Sequence, residues 1–213
     1  MTMKNLREFL PKKILNLLIK TLDKSNILCY NRVIPNRKEV SNLENIILLV
    51  GRSGSGKSAV CKELYERYGL SSIESYTTRP PRYHNEKGHI FIFDEEFDEL
   101  EDIIAYTEFN GYRYCATEEQ IMENDIYIID PAGIDFFDEN YHGDKKPIVV
   151  YLDVDEDTCF DRMAKSRSIK EATERIINDA EAFKNVDKMA DVCIENYNID
   201  TTVEQIRKIW RNG

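Results

Sequence analysis

From residue 46 onward, runs of consecutive apolar residues alternate with segments whose apolar positions recur at helical spacing. Residues 46–50, 72–76, 126–130, 148–152 and 192–194 read as buried strands, and residues 57–68, 155–165, 170–185 and 201–211 as helices. Strands that are apolar throughout, rather than at every second position, are buried on both faces, so the alternation implies a parallel sheet covered by helices. The last helix carries a capping-box pattern, Thr201 to Glu204, at its start.

Residues 77–118 break this rhythm. The segments HIFIF (89–93) and AYTEFNGYRY (105–114) have the period-two aromatic and β-branched character of antiparallel strands, with Asn110-Gly111 as a turn signal. The block reads as an antiparallel insertion in an otherwise parallel α/β domain.

Ahead of residue 44 the pattern differs again. Residues 11–24 (PKKILNLLIKTLDK) fit a short basic amphipathic helix, with Pro11 in its first turn and Ile14, Leu15, Leu18 and Leu22 on one side. A turn-rich stretch at 31–36 separates it from the rest. Packing back onto the body is the commoner use of such a helix, while a membrane surface or a partner protein are the other two. Its lysines interrupt the apolar stretch and no run of small residues follows, which argues against a secretory signal.

A chain of 213 residues fits one domain with a short appendage, and 42% hydrophobic with 32% charged residues is the balance of a globular protein without long apolar spans. The net charge of −10 is unevenly spread, since residues 1–40 hold nine of the 29 basic but only three of the 39 acidic residues. An acidic main body argues against nucleic acid as a partner. The five cysteines form no CxxC pair and read as reduced thiols, which sets the expected location in the cytoplasm. His84, His89 and His142 lack metal-ligand spacing and read as surface or loop residues.

The strongest chemical signal is Gly51-Arg52-Ser53-Gly54-Ser55-Gly56-Lys57-Ser58, an instance of GxxxxGK[ST] placed between an apolar strand and a helical pattern. Glycines let successive backbone N–H groups turn inward onto phosphate oxygens, and the helix N-terminus adds its dipole. Gly51, Ser53, Gly54, Ser55, Gly56, Lys57 and Ser58 are therefore the candidate ATP site, with Lys57 reaching the β- and γ-phosphates and Ser58 as the ligand to Mg²⁺. Further on comes Ser75-Tyr76-Thr77-Thr78-Arg79-Pro80-Pro81-Arg82, where two arginines stiffened by a Pro-Pro pair suit a phosphate dianion.

With both motifs in this order, residues 46–211 resemble the guanylate kinase family. The likeness extends to the aromatic strand at Phe91 and Phe93, the hairpin at 108–114, the strand end Asp130-Pro131-Ala132-Gly133, and the arginines at 162, 167 and 175. It implies an α/β P-loop NTPase three-layer sandwich with a parallel core sheet, an antiparallel acceptor-binding insertion (77–118) and a small helical lid (about 162–175). The body would span 45–213, after an extension of residues 1–44. It also implies an ATP-dependent nucleoside monophosphate kinase. Arg79 and Arg82 would grip the acceptor phosphate, Tyr114 would donate to it, and Ser75 and Asp130 would touch the base. Lys57, Arg79, Arg162 and Arg175 would be the catalytic cations. Arg167 would join the ATP site although it is displaced by one position, with Ser166 in the expected place.

Three departures bear on the acceptor. Phe91 stands where a second phosphate-binding tyrosine belongs, Ala105 where a glutamate reads the guanine edge, and Ala116 where a hydroxyl residue lies beside it. Base contacts of this kind carry large discrimination. Thr107 or Glu108 is a possible substitute, and strand alternation admits one of them. Two other readings fit the same residues: a kinase of another phosphorylated metabolite such as a sugar phosphate, and a non-catalytic interaction module, against which the intact phosphate loop argues.

Overall fold

The computed structural model of the protein describes residues 45–213. The amphipathic segment 11–24 and the turn at 31–36 lie outside the described residues.

The centre of the body is β1 (Asn45–Val50), all six residues of which are buried. It pairs in parallel with β6 (Ile126–Ile128) on one side and β7 (Lys146–Asp153) on the other, and β8 (Val192–Glu195) adds beyond β7, also in parallel. Ile46, Leu48 and Val50 face a core shared with Ile134 and Phe137 of α4 (Pro131–Asn140). Ile47 and Leu49 face the opposite core, with Val60 and Leu64 of α1 (Lys57–Tyr68) and Val203 and Ile206 of α8 (Ile199–Asn212). Burial on both sides is why the strand is apolar without alternation, and the result is the expected helix–sheet–helix sandwich.

A second sheet holds β3 (His89–Phe91), β2 (Ser75–Thr77), β5 (Tyr112–Thr117) and β4 (Ile103–Phe109), in that spatial order. Hairpin β4–β5 turns at Asn110 and Gly111, both at positive φ (53° and 75°), the two-residue turn that Asn-Gly favours. Arg113 ties this hairpin to α2 (Asp94–Asp98), 2.7 Å from Asp94 and 2.5 Å from Asp98, with its guanidinium over the Phe97 ring.

Two sequence-based expectations change here. The segment 72–76 does not form a core strand. Ser72 makes a single bridge to Ile126, Ile73 donates to the Ile126 carbonyl at 2.8 Å, and the chain then leaves for the second sheet. Buried Ser75 and Thr77 around half-buried Tyr76 suit a strand with two unlike faces better than one buried on both. The insertion is also mixed rather than antiparallel, because β3 runs parallel to β2. The connection through 78–88 is long enough to return the chain to the start of β2, which a hairpin turn is not.

The remaining helices are α3 (Glu118–Glu123), α5 (Glu156–Ala164), α6 (Ile169–Ala182) and α7 (Val186–Met189). Asp155 and Ser168 cap α5 and α6, accepting from the N–H groups of Thr158 and Glu171 at 2.8 and 3.2 Å. Helix α8 is capped by Asn198, which accepts from the Thr201 N–H at 3.1 Å, and not by Thr201 as the capping-box pattern implied. Ile199 sits on the same apolar face as Val203 and Ile206, and this extra contact starts the helix earlier.

Candidate active site

The chain leaves β1 at Val50, folds through 51–56 and enters α1 at Lys57. Gly54 and Gly56 have φ of 82° and 99°. A Cβ on Gly54 would lie 2.4 Å from the Cys159 carbonyl oxygen, and one on Gly56 would lie 2.7 Å from Asn196 Nδ2, so neither position admits a side chain. Ser55 is fully buried and its hydroxyl lacks a hydrogen-bond partner. Gly51 packs against that hydroxyl, where a Cβ would meet Oγ at 2.6 Å. Lys57 folds back over the loop and donates to the carbonyls of Gly51 and Arg52, the latter at 3.1 Å. Burial pushes its amine down to about 8, against the attraction of Asp179.

A cavity of about 350 Å³ opens over this loop. Lys57 and Ser58 line it from the loop and the first turn of α1, and Arg162, Arg167 and Arg175 line it from α5, the following turn and α6. Of the sequence-predicted cations, Lys57, Arg162, Arg167 and Arg175 line this cavity and Arg79 does not. Arg162 donates to the carbonyls of Gly54 (3.4 Å), Ser55 (3.3 Å) and Asn196 (2.9 Å), so its charge is partly spent on holding the loop. Arg175 Nε is buried without a hydrogen-bond partner and stands 3.6 Å from Glu171. Burial, and then the nearby charges of Arg167 and Arg82, lower the pKa of Arg175.

The second sheet builds the other half. Cross-strand pairs Ser75–His89, Thr77–Phe91, Thr77–Tyr114, Thr107–Tyr114 and Ala105–Ala116 put these side chains on one face. Glu108 pairs with Arg113 on the opposite face, so the choice between Thr107 and Glu108 falls on Thr107. Arg79 is buried at 8% exposure, with its guanidinium carbon 5.3 Å from the centre of the Phe91 ring. Glu86 grips Arg79 at 2.8 Å and accepts from the Arg82 N–H at 2.6 Å, while Arg82 itself is exposed. The hydrogen bonds from Arg79, opposed by partial burial and aided by Arg82, hold the Glu86 carboxyl down at about 2. Asp130 follows β6 on the edge where β1 delivers the phosphate loop, and it caps α4 by accepting from the Gly133 N–H at 2.7 Å.

Sequence reasoning missed four participants. Asn196, at the end of β8, is buried and donates to the Ser55 carbonyl at 2.7 Å. Glu86 places a carboxylate on Arg79, and Asp179 places one on the Ser53 N–H. His89 is not a surface or loop residue. It lies half-buried on β3, with Nδ1 2.9 Å from Ser75 Oγ and its ring edge-on to Tyr114. Its period-two spacing to Phe91 was the available signal.

The sequence model of the guanylate kinase family matches residues 43–212 of the chain. This chain belongs to the guanylate kinase family. Among curated relatives, a guanylate kinase of Clostridium tetani is 27% identical over 77% of this chain and 84% of its own length. One of Prochlorococcus marinus is 25% identical over 81% of this chain and all of its own. One of Fusobacterium nucleatum is 33% identical over 38% of this chain, a match spanning 47% of that protein. The crystal structure of guanylate kinase from Anaplasma phagocytophilum shares the fold with a TM-score of 0.53 at 23% identity, covering 79% of this chain and 85% of that one. Ala105 and Ala116 are fully buried members of the apolar core.

Proposed function

We propose that this guanylate kinase-like nucleoside monophosphate kinase moves the terminal phosphoryl group of ATP onto a nucleoside monophosphate held by Arg79, Arg82 and Tyr114, with relaxed choice of base. The observation that carries the reading is the cavity over loop 51–58, where Lys57 and Ser58 meet Arg162, Arg167 and Arg175.

In this reading ATP lies on loop 51–58, its phosphates on backbone N–H groups and its terminal groups beside Lys57, Arg167 and Arg175. An acceptor phosphate oxygen attacks the γ-phosphorus in line, the bond to the β–γ bridging oxygen breaks, and ADP leaves with that electron pair. Lys57 and the arginines offset the charge that spreads over the transferring group, and burial strengthens their effect. Arg162, spent on loop carbonyls, fits a positioning role. Ser75, His89, Thr107 and Asp130 remain as the polar groups for the base.

The donor set also suits Mg²⁺. Ser58 offers one exposed hydroxyl beside the cavity, and no cluster of three or more His, Cys, Asp or Glu exists among the described residues. Mg²⁺ characteristically takes few protein ligands and fills its shell with phosphate oxygens and water. Bound there, it would neutralise the β- and γ-phosphates. A reducing cytoplasm suits the four described cysteines, all free, and no helix among the described residues is long and apolar enough to cross a membrane.

The test is a coupled ADP-release assay over a panel of ribo- and deoxynucleoside monophosphates and sugar phosphates. Turnover is expected with nucleotides of more than one base and loss of at least about 1,000-fold in Lys57→Ala. Turnover confined to sugar phosphates, or near-normal activity in Lys57→Ala, would overturn it.

A further inference from the structure

The phosphate loop holds an anion of its own. Asp179 lies on α6 one turn beyond Arg175, and its Oδ2 accepts a hydrogen bond from the Ser53 backbone N–H at 2.5 Å. The residues are 126 apart in sequence, so tertiary structure alone makes the contact. Among the charges acting on the Lys57 amine, Asp179 is the strongest that favours its protonation. The carboxylate thus touches a loop N–H and attracts the cation that the motif aims at the β- and γ-phosphates. A charge-assisted bond from a backbone N–H at this place is what a phosphate oxygen would accept. The helix uses the backbone carbonyl of Asp179 at its end, where the Phe183 N–H donates to it, but Ser168 caps the start, so the Asp179 carboxylate caps neither end.

We propose that Asp179 is an affinity-setting residue of the nucleotide site, an internal anion that ties the phosphate loop to α6 in the empty enzyme and that the terminal phosphates of ATP must displace. The proposal rests on the kinase reading above. A carboxylate and a polyphosphate cannot share the Ser53 N–H, and two like charges beside Lys57 repel. Entry of ATP therefore parts Asp179 from the loop and frees α6, with Arg175 on it, to settle on the phosphates instead. The penalty grows with phosphate charge at the Lys57 end, so it weighs on ATP far more than on adenosine, which carries none.

Asp179→Asn keeps the shape and an accepting oxygen but removes the charge, and Asp179→Ala removes both. Titration calorimetry of wild type and both variants with ATP·Mg²⁺ is expected to give binding about tenfold tighter in the variants, the effect of deleting one like charge in a partly screened site. Adenosine binding should change less than about twofold. In the empty proteins, amide hydrogen exchange across 51–56 should quicken most in Asp179→Ala, where the tie to α6 is cut, and less in Asp179→Asn, where only its charge is lost. ATP affinity equal to wild type in Asp179→Asn would overturn the proposal. Weaker affinity would do so too, and would make Asp179 a helper of the bound nucleotide. If wild type and variants alike fail to bind ATP, the kinase reading falls with it, which separates that failure from equal binding by all three.

Discussion

Glu86 and Arg79 form a two-point ion pair, Oε1 2.8 Å from Nη2 and Oε2 3.3 Å from Nη1, with side-chain exposures of 5% and 9%. The guanidinium proposed to hold the acceptor phosphate is thus already neutralised by a carboxylate of the same loop. An incoming phosphate must share Arg79 with Glu86 or displace it.

Glu86→Gln removes that competition and should lower the KM for the acceptor several-fold with kcat little changed. It also leaves a buried guanidinium short of a counter-charge, so stability to urea should fall by about 2–3 kcal/mol. Saturating acceptor should restore more stability to the variant than to wild type. A KM that rises on this substitution would mean Glu86 orients Arg79 for the phosphate instead of opposing it.

The same pair sets an acid limit. A folded-state pKa of about 2, below the ordinary value of 4.5, means the stability contributed by Glu86 is complete above about pH 4.5 and disappears as the pH falls towards 2. Urea titrations at pH 5 and pH 3 should therefore show a larger loss in wild type than in Glu86→Gln. Equal losses would show that other carboxylates govern the acid transition.

Lys57 gives the opposite edge. Its amine is lowered to about 8, so in the empty enzyme it loses its charge as the pH rises through that value. Bound phosphate favours the charged form, so ATP affinity should be flat below about pH 8 and fall above it by up to tenfold per unit. For stability the sign is reversed from a lysine that gains a partner. The charged amine costs stability below about 8, and that cost is relieved as pH rises from there towards 10.5. Competition binding against a fluorescent nucleotide should show the break in wild type and none in Lys57→Arg. Asp179→Asn, which removes an attraction that favours the charge, should move the break to lower pH.

Thr107 is the side chain that register places beside Ala105, Ala116 and Tyr114. Thr107→Val keeps its shape without the hydroxyl and should shrink the spread of kcat/KM among GMP, AMP, CMP and UMP by about tenfold, leaving the KM for ATP unchanged. An unchanged spread would assign base choice to His89, Ser75 and Asp130.

The parts legible in the sequence were those written in consecutive residues. Residues 51–58 state the phosphate loop outright, and Asn110-Gly111 states its hairpin. Arg167, displaced by one from the family pattern, still reaches the cavity because the turn between α5 and α6 carries it there. Strand direction was not legible at β2 and β3, since three-residue strands alternate alike whether parallel or antiparallel. Contacts across long separations left no local trace, as with Asn196 on Ser55 and Asp179 on Ser53, 141 and 126 residues apart. Glu86 stood within the arginine loop in plain view, yet its pairing depends on how residues 80–88 fold back.

The central claim is that one cleft unites the two anion sites. It is tested most directly by the affinity of a bisubstrate analogue, adenosine joined through five phosphates to a nucleoside, measured by calorimetry beside ATP and the nucleoside monophosphate alone. Binding at least about 100-fold tighter than ATP is expected, with most of the gain lost in both Lys57→Ala and Arg79→Ala. An analogue that binds no better than ATP, or whose advantage survives Arg79→Ala, would contradict the account.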